Sequence, residues 1–469
     1  MEKILNIIKK YIPKKAFKAL QPAYHFFMAW LSAVCCGRPS EKLVVIGVTG
    51  TTGKTTVVYL IAKILEAAGY KTGYTSTAMF NDGQKEWLND KKMTMPGRFF
   101  TQKMLRKTLR NKCQYAIIET TSEGVRQYRH RFINYDILVF TGLYPEHIES
   151  HGGFEKYKEA KGKLFAHLKK CKTKYADDKK HVRKSDTGIK KLDLNRIKKT
   201  IIVNGDDEHA GYFLEFWSEL KFAYVKGDET EIKKTKEVEA IEYNNIEVGR
   251  EGVGFEANGE KIKLQLLGEF NAANAMAAVC VGLSQGIGIN DIKNGLEKVS
   301  GVPGRFERIN EGQNFNVIVD YAFEPNAVAK LYETIKLIPH RKIIHILGSA
   351  GGGRDISRRP KLGKIAGEKA DYVVATNEDP YDDNPAIIID QVAIGAEHAG
   401  KKLNENLFKI PDRREAIKKA LALSEEGDIV LLTGKGCEQA ICSANGEKIP
   451  WDDREVAREE IRNLFQVSC

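Results

Sequence analysis

A short glycine-rich stretch of the sequence has the residue types that hold phosphate groups. It reads GTTGKTT, and a lysine and a threonine follow its second glycine directly. Glycines let backbone N–H groups approach phosphate oxygens, Lys54 can contact the outer phosphates, and Thr55 can ligate Mg²⁺. An ordinary glycine turn is the alternative, and the Lys-Thr pair argues against it. The predicted nucleotide-binding residues of this loop are Gly50, Thr51, Thr52, Gly53, Lys54, Thr55 and Thr56.

The elements on either side of this loop fit that chemistry. The apolar run at residues 43–46 predicts a buried strand, and apolar residues at helical spacing from Val57 to Leu65 predict a helix that ends near Gly69. Strand, glycine loop and helix in this order direct the helix N-terminus, with its partial positive charge, at the phosphates.

A second group of candidate residues follows two further apolar runs. Residues 116–118 predict a strand, and Glu119 comes directly after it. Because the carboxyl ends of parallel strands bind ligands in folds of this kind, Glu119 is a candidate Mg²⁺ ligand. Residues 137–141 predict another strand, which leads to His147 and Lys161. By themselves these two would be interpreted as surface residues.

Together, these segments resemble the Mur ligases, ATP-dependent enzymes that form the amide bonds of cell-wall peptides. The T-G-T-x-G-K-T-T pattern is similar to the family's nucleotide loop, with Thr52 where an asparagine is usual. PEHIESHGG and YKEAKGKLF place His147 and His151 at the family's histidines and Lys161 at its carbamylated lysine. The ammonium of an unmodified lysine would repel metal ions. A carbamate on the same nitrogen is an anion and supplies two oxygen ligands. The resemblance implies ATP and Mg²⁺ as cofactors, Lys54, Glu119, His147 and Lys161 as catalytic residues, and Thr55, Glu119, His147 and Lys161 as metal ligands.

The acceptor site is assigned through a neighbouring motif. ETTSEGVRQYR resembles the branch of the family that adds the third residue of the peptide, the UDP-N-acetylmuramoyl-tripeptide synthetases. The match implies that Ser122, Gln127 and Arg129 hold the acidic acceptor peptide, together with Thr94 of MTMPGR. A guanidinium can grip a carboxylate with two hydrogen bonds. Glu123 stands where the branch has a histidine.

Three motifs of the second half resemble the family's contacts to ATP. LLGEFNAANAMAAV places Asn271 on the adenine side, although asparagines at a helix N-terminus also act as caps. GVPGRFERI places Arg305 at the family's G-R-[MF]-E arginine, where the C-terminal domain begins. NVIVDYAFEPNA matches the family's D-Y-A-H-T-P-D at its start, so only Asp320 and Tyr321 are carried over.

The incoming amino acid is assigned to two loops near the C-terminus. Relatives that use meso-diaminopimelate carry D-N-P-R, whose arginine pairs with the distal carboxylate, whereas this chain has EDPY. The acidic stretch that contains Asp379, Asp382 and Asp383 resembles lysine-adding relatives and is expected to face an ammonium. Gly434 and Glu438 of GKGCE match the family's amino-acid-binding G-K-G-H-E. The expected substrate is a diamino acid such as L-lysine or diaminopimelate.

Composition fits a soluble globular protein with two or three domains. The 469 residues carry 74 Lys and Arg against 62 Asp and Glu, a net charge of +12. Handling polyanionic nucleotides accounts for this excess, so no nucleic-acid partner is predicted. The basic residues 171–200 predict a solvated loop or hairpin insert, and a contact with an anionic partner is the alternative. Eight cysteines without a C-x-x-C pair indicate reduced thiols, a cytoplasmic protein and no zinc ribbon.

The first forty residues differ in character from the rest. Lysines alternate with isoleucines and leucines, and an apolar stretch at 23–36 follows, which is short for a membrane span. We expect helices that pack on the ATPase domain. A peripheral contact of residues 1–36 with an anionic membrane surface at the inner face is the alternative. This segment stands where the family has its uridine-nucleotide-binding domain.

The predicted fold class is therefore α/β with three parts. Residues 1–40 form a helical segment, residues 41–302 a central P-loop domain with a parallel sheet, and residues 303–469 a Rossmann-like C-terminal domain. We expect a monomer that acts on a nucleotide-linked muramoyl peptide and an amino acid through an acyl phosphate. The alternatives are an amide ligase with a folylpolyglutamate-type or polyglutamate acceptor, the ligase-like subunit of a glutamine-dependent amidotransferase, and a nucleotide-binding, membrane-docking protein without ligase activity.

Overall fold

The predicted nucleotide loop follows a strand in the middle of a large mixed sheet. The computed structural model of the chain describes residues 14–144, 152–183, 194–227 and 237–467. The strands of its first part are β1 (Val44–Thr49), β2 (Thr72–Thr75), β3 (Met79–Asn81), β4 (Glu86–Leu88), β5 (Tyr115–Glu119), β6 (Ile137–Phe140), β7 (Lys174–Ala176), β8 (Asn195–Ile197), β9 (Thr200–Asn204), β10 (Leu220–Lys226), β11 (Glu239–Gly249), β12 (Gly252–Ala257) and β13 (Glu260–Leu264).

Among the described residues, the central sheet has eleven strands in the order β13-β12-β11-β10-β9-β6-β1-β5-β2-β3-β4. The strands from β11 to β2 in this order run parallel, and antiparallel strands extend both edges. Every residue of β1 is buried, as its apolar sequence predicts for a central strand covered on both faces. The loops after β1, β5 and β6 therefore meet at one edge of the sheet.

Helices cover both faces of this sheet. They are α1 (Lys14–Cys35), α2 (Lys54–Ala67), α3 (Arg98–Arg110), α4 (Ser122–Arg126), α5 (Phe154–Leu168), α6 (Ala210–Leu214), α7 (Phe270–Ser284) and α8 (Ile289–Glu297). The apolar side chains of α2 that the sequence singled out are buried in the largest core of the protein, with those of α7 and α8. The predicted strand, loop and helix are thus present, and Gly69, with φ 82°, follows the end of α2.

The C-terminal part forms a second sheet. Its strands are β14 (Glu307–Ile309), β15 (Asn316–Asp320), β16 (Ile343–Leu347), β17 (Tyr372–Thr376), β18 (Leu407–Ile410) and β19 (Ile429–Thr433), followed by a hairpin of β20 (Ala440–Cys442) and β21 (Lys448–Pro450). Its helices are α9 (Pro325–Ile335), α10 (Arg358–Lys369), α11 (Pro385–His398), α12 (Arg413–Leu423) and α13 (Asp453–Val467). In the described chain the strand order is β14-β15-β19-β16-β17-β18, and all pairs except β14–β15 are parallel. The predicted fold class is confirmed.

The basic segment 171–200 differs in part from its prediction as a solvated insert. It contains the expected hairpin, formed by β7 and β8. Two of its lysines are nevertheless buried, because Lys174 and Lys199 place their ammonium groups 2.6 and 2.8 Å from the buried carboxylate of Asp136. The prediction was wrong for these two residues, since burial of a lysine requires an anion that a local charge pattern does not reveal.

Helix α1 packs on the central domain through its small residues. Ala29, Ser32 and Ala33 are buried, whereas larger apolar residues on the helix face outward, among them Phe27, which is 54% exposed, and Trp30. Within the described ranges of the chain, no helix combines the length and the apolar character needed to cross a bilayer.

Candidate active site

The nucleotide loop is a tight turn that closely approaches α7. Gly53 has φ 79°, and a Cβ atom there would lie 2.3 Å from Oδ1 of Asn274. Glycine is therefore required both for its left-handed conformation and for space. The Lys54 ammonium donates to the Thr51 carbonyl oxygen at 2.7 Å, so it folds back over its own loop at the N-terminus of α2.

Glu119 lies directly against this loop. It is the last residue of β5 and is 1% exposed. Its Oε2 accepts hydrogen bonds from the Thr55 hydroxyl at 2.9 Å and the Thr77 amide at 2.7 Å. The Thr77 hydroxyl lies 2.9 Å from both Oε1 of Glu119 and the hydroxyl oxygen of Thr94. The structure thus joins three predicted residues, Thr55, Glu119 and Thr94, through one that the sequence analysis missed.

Lys161 reaches the same loop from α5. Its Nζ donates to the Gly50 carbonyl oxygen at 2.8 Å and lies 4.6 Å from the centre of the Tyr157 ring, one helical turn earlier. The Tyr157 hydroxyl lies 3.3 Å from the hydroxyl oxygen of Thr51. The side chain of Lys161 is buried. His147, predicted beside it, lies outside the described residues.

The C-terminal domain contributes Arg305 to this centre. Its guanidinium donates to the Thr55 hydroxyl oxygen at 3.2 Å and lies 4.5 Å from the centre of the Tyr321 ring. Its buried Nε has no hydrogen-bond partner among the described residues. Asp320 shapes the segment that carries this arginine, because its carboxylate accepts from the amides of Phe306 at 2.7 Å and Ala322 at 2.6 Å.

These residues surround one cavity of about 820 Å³ between the two domains. Its volume is within the usual range for a small-molecule site. The predicted residues that line it are Gly50, Thr51, Thr52, Gly53, Lys54, Thr55, Thr56, Thr94, Glu119, Ser122, Lys161, Asn271, Arg305, Asp320 and Tyr321.

Asn271 lies in the first turn of α7, at the far side of the nucleotide loop. Its amide group donates to the Leu267 carbonyl oxygen at 2.7 Å, and its Oδ1 accepts from Asn274 at 3.0 Å. These two asparagines therefore make hydrogen bonds at the start of α7, in line with the alternative interpretation that they act at the helix N-terminus. Asn274 is a second missed residue, and its position three residues after Asn271 was the signal.

Magnesium fits the donor set at the loop. Within the described ranges, no three His, Cys, Asp or Glu side chains cluster tightly enough to bind a metal ion together. The carboxylate of Glu119 and the hydroxyl of Thr55 are, however, hard oxygen donors 2.9 Å apart. Mg²⁺ usually binds one or two such protein ligands and completes its shell with water and phosphate oxygens.

The predicted acceptor residues Gln127 and Arg129 contact each other outside the lining of the cavity. Arg129 donates to the Gln127 side-chain oxygen at 2.7 Å and to the Met95 carbonyl oxygen. The Gln127 amide donates in turn to Glu123 at 2.7 Å. Burial lowers the pKa of Arg129. Glu123, which stands where the branch has a histidine, thus forms a hydrogen bond with Gln127.

The predicted amino-acid residues separate into two groups. Asp379 and Glu438 meet around the buried Lys435, whose Nζ lies 2.8 Å from Asp379 and 2.9 Å from Glu438. By contrast, Asp382 accepts from the backbone of Asn445 at 2.8 Å. Asp383 is 3.5 Å from Arg359 and accepts from the Gly352 amide at 3.2 Å. Asp382 and Asp383 therefore contact other segments of the C-terminal domain than the acidic pair does.

Three residues around the acidic pair were not predicted. Lys92 of the central domain places its ammonium 2.6 Å from both Asp379 and Glu438. Glu378 is buried beside Gly434, where a Cβ atom would lie 2.5 Å from its Oε2, an atom without a hydrogen-bond partner in the described chain. Burial raises the pKa of Glu378. Lys92 belongs to no local pattern that would have identified it, whereas Glu378 and Lys435 were overlooked within EDPY and GKGCE.

Comparison with known proteins gives a consistent result. The family model described as "Mur ligase middle domain" matches residues 48–195 and 188–282, and "Mur ligase, glutamate ligase domain" matches residues 304–436. The UDP-N-acetylmuramyl-tripeptide synthetase of Roseiflexus sp. (strain RS-1) is 35% identical over 93% of this chain and 82% of its own length. A UDP-N-acetylmuramoyl-L-alanyl-D-glutamate--2,6-diaminopimelate ligase of Syntrophomonas wolfei is 32% identical over 96% of this chain and 84% of its own length.

Solved structures agree on the fold. A structure of UDP-N-acetylmuramoyl-L-alanyl-D-glutamate--2,6-diaminopimelate ligase has a TM-score of 0.56 at 24% identity and covers 95% of this chain and 83% of its own. The Mycobacterium tuberculosis folylpolyglutamate synthase has a TM-score of 0.61 at 15% identity and covers 94% of this chain and 95% of its own. At these identities the two matches show a shared architecture.

Proposed function

Because this chain belongs to the Mur ligase family, we propose that it adds a diamino acid to a UDP-N-acetylmuramoyl-dipeptide acceptor, as its tripeptide synthetase relatives do by name. It is an ATP-dependent ligase that forms a carbon–nitrogen bond in peptidoglycan precursor synthesis. The observation that carries the proposal is the convergence of Thr55, Glu119, Lys161 and Arg305 on one nucleotide loop.

The first step activates the acceptor. A carboxylate oxygen of the peptide attacks the γ-phosphorus of ATP, the bond to the β-phosphate oxygen breaks, and ADP leaves with the bonding electrons. Catalysis of such a transfer is mainly positioning and charge neutralisation. Lys54 would exchange the Thr51 carbonyl for a phosphate oxygen, and Arg305, whose Nε has no partner in the described chain, would donate to the transferred group.

The metal and the modified lysine support this step. Thr55 and Glu119 would hold Mg²⁺, with His147 and a carbamylated Lys161 as further ligands by resemblance to the family. The ion, when bound, neutralises charge that develops on the phosphates. A carbamate on Lys161 would bring its two oxygens to the nucleotide loop, because the Nζ atom lies 2.8 Å from the Gly50 carbonyl oxygen.

In the second step the amine of the amino acid attacks the acyl carbon. The carbon–nitrogen bond forms as the bond from the acyl carbon to the phosphate oxygen breaks. Phosphate leaves with the bonding electrons, and the nitrogen loses one proton to the departing phosphate or to water. Thr94 and Ser122 line the cavity where the acceptor would lie, with Gln127 and Arg129 behind them. Asp379, Glu438 and Gly434 would hold the amino acid, with Asp382 and Asp383 at the outer edge of that region.

One experiment tests this reaction and its competitors. The purified chain is incubated with ATP, Mg²⁺, UDP-muramoyl-dipeptide and, separately, L-lysine, L-ornithine or diaminopimelate, and the products are weighed by mass spectrometry. We expect ADP release that depends on the amino acid, and a product heavier by one diamino-acid residue. Product formation only with a folate or polyglutamate acceptor would contradict the proposal. So would the absence of ADP release with every acceptor, which would favour a nucleotide-binding protein without ligase activity.

A specific observation favours the membrane contact as well. Helix α1 buries alanines and exposes aromatic residues, which is typical of a helix whose outer face meets a membrane interface. Six lysines lie between residues 3 and 18, and Lys103, Arg106 and Lys107 of the neighbouring α3 are exposed. We propose that this face binds an anionic bilayer at the inner face of the membrane, and that the enzyme acts as a monomer.

Vesicle sedimentation and light scattering test these two points. The chain should sediment with vesicles that contain phosphatidylglycerol and remain in solution with phosphatidylcholine alone. The double variant Phe27→Ser, Trp30→Ser should lose sedimentation and keep its rate with soluble acceptor. Equal sedimentation of variant and wild type would contradict the membrane contact, and a dimer mass in scattering would contradict the monomer.

A further inference from the structure

Lys92 connects the two domains at the predicted amino-acid site. It belongs to the loop between β4 and α3, yet its Nζ lies 2.6 Å from Oδ2 of Asp379, 2.6 Å from Oε2 of Glu438 and 2.8 Å from the Ala440 carbonyl oxygen. Its side chain is only 4% exposed. An ammonium has three donors, so these three acceptors satisfy it completely.

Lys435 donates to the same three groups as Lys92, but it belongs to the C-terminal domain. Lys435 lies three residues before Glu438 in the same loop and is fully buried. It is therefore part of the C-terminal domain whatever the position of the other domain. Lys92 reaches the acids only because the central domain lies against them.

The charges of this cluster balance. Two carboxylates, Asp379 and Glu438, face two ammonium groups, and the Tyr321 hydroxyl donates to Glu438 at 3.3 Å. Burial alone would lower the pKa of Lys92, but Glu438 and Asp379 raise it above its ordinary value. Asp379 and Glu438 each already contact both ammonium groups, so a further ammonium at these two carboxylates would add unbalanced positive charge to a buried site, which is strongly unfavourable. The nearby Oε2 of Glu378, which has no hydrogen-bond partner in the described chain, faces Gly434. Because Lys435 belongs to the loop that carries Glu438, a cationic side chain can pair with Asp379 and Glu438 only if Lys92 leaves.

The backbone conformation of Lys92 indicates that its contacts with the C-terminal domain hold the loop in place. Its φ is 53°, a left-handed conformation that is unfavourable for a residue with a side chain. Two residues later, Thr94 lies 2.9 Å from Thr77 at the catalytic carboxylate. Two residues in the middle of this loop therefore contact both domains, Lys92 at Asp379 and Glu438 and Thr94 at Thr77.

We propose that Lys92 is a tethered occupant of the subsite for the side-chain ammonium of the amino acid, and that it sets the affinity and selectivity for diamino acids. The inference rests on the proposed function and deepens it. Since Lys92 must be displaced, the apparent dissociation constant is raised by the reciprocal of the fraction of molecules in which the subsite is free. If that fraction is below about a tenth, removal of the ammonium tightens binding about tenfold or more.

Direct binding tests the inference without turnover. The full chain is titrated with L-lysine, L-ornithine and L-norleucine in a calorimeter, as wild type, Lys92→Met and Lys91→Met. Lys91 is the matched control, because it is adjacent, its side chain is 41% exposed, and its ion pair in the described chain is with the neighbouring Asp90. We expect Lys92→Met alone to bind lysine and ornithine about tenfold more tightly. Norleucine, which lacks the side-chain amine, should bind all three proteins alike.

Other outcomes would overturn the inference. Unchanged or weaker binding of lysine by Lys92→Met would show that Lys92 does not occupy the subsite. A lower kcat with an unchanged KM for lysine would show that it only holds the domains together. Lys92→Gln, which keeps a donor to one carboxylate, replaces Lys92→Met if the latter melts early, and the same tightening is expected. If the wild type forms product and neither variant tightens binding, the proposed function stands and the inference fails.

Discussion

Glu119→Gln separates the chemical role of Glu119 from its structural role. Three donors converge on this carboxylate, the Thr55 hydroxyl, the Thr77 amide and the Thr77 hydroxyl, at 2.9, 2.7 and 2.9 Å. Glutamine has the same shape. Its carbonyl oxygen can keep the two donors now at Oε2, and the Thr77 hydroxyl can rotate to accept from the new amide group. The substitution therefore removes charge with little loss of hydrogen bonds.

The expected magnitudes differ widely between stability and activity. Replacing charge-assisted by neutral hydrogen bonds should cost about 1 kcal/mol of unfolding free energy, or a few degrees in Tm. Loss of a preorganised charge at the phosphoryl group and its metal should lower kcat by about 10²–10³, or about 2.7–4 kcal/mol in the activation barrier. Thermal melting and amino-acid-dependent ADP release measure the two effects on the same protein.

A control distinguishes the charge from the hydrogen bonds. Thr77→Val deletes the hydroxyl at Oε1 but leaves the carboxylate and the Thr55 contact, so its turnover should fall by less than about tenfold. Turnover of Glu119→Gln within threefold of wild type at saturating Mg²⁺ would refute the reasoning. A collapse of its Tm by ten degrees or more would show that the carboxylate is needed for folding instead.

The remaining predictions concern a catalytic lysine and a buried ion cluster. Lys161→Ala should abolish ADP release, and short carboxylic acids should partly restore it by supplying the missing oxygens; full activity without them would disprove the carbamate. Asp136→Asn should lower the unfolding free energy in urea by about 3–5 kcal/mol, because Lys174 and Lys199 stay buried without their anion; a loss below about 1 kcal/mol would contradict this. Burial, with a smaller contribution from Lys199, lowers the pKa of Lys174 to about 8 against the opposing effect of Asp136. The unfolded chain then binds more protons between about pH 8 and 10, so the unfolding free energy of wild type should rise with pH in this window relative to Lys174→Met; parallel curves would refute it.

Features that are determined by neighbouring residues in the sequence could be predicted. Strands such as β5 and β6 are continuous apolar runs, and the predicted residues 116–118 and 137–141 agree within one residue with the observed bounds, Tyr115–Glu119 and Ile137–Phe140. The nucleotide loop was visible because Gly53 must precede Lys54 and Thr55 by fixed spacing. Glu119 was identified because the end of a strand in a parallel sheet is a position with a defined neighbour, the loop after β1.

Residues that depend on a distant partner were not predictable in this way. Lys174 and Lys199 lie in a basic stretch, and nothing nearby in sequence indicates that Asp136 accepts both. Two adjacent lysines have different environments, since Lys91 is exposed while Lys92 is buried against Asp379 of the other domain. The acidic stretch predicted Asp379, Asp382 and Asp383 together, but only the three-dimensional packing shows that Asp379 shares its partners Lys92 and Lys435 with Glu438.

A buried ion pair between Arg413 and Asp453 links the two loops that carry Asp379 and Glu438. Arg413, at the start of α12, is buried with Asp453, whose carboxylate it contacts at 2.6 and 2.7 Å. The same guanidinium donates to the carbonyl oxygens of Thr433 at 2.8 Å and Asn377 at 3.1 Å, where β19 ends and just after β17. Asp379 follows the second of these strands and Glu438 the first, so one buried ion pair fixes the spacing between the two acids. Lys92, which forms ion pairs with both acids, belongs to the other domain. If Lys92 competes with the substrate as proposed, a change in the angle between the domains would move the competing ammonium and leave the acidic pair in place.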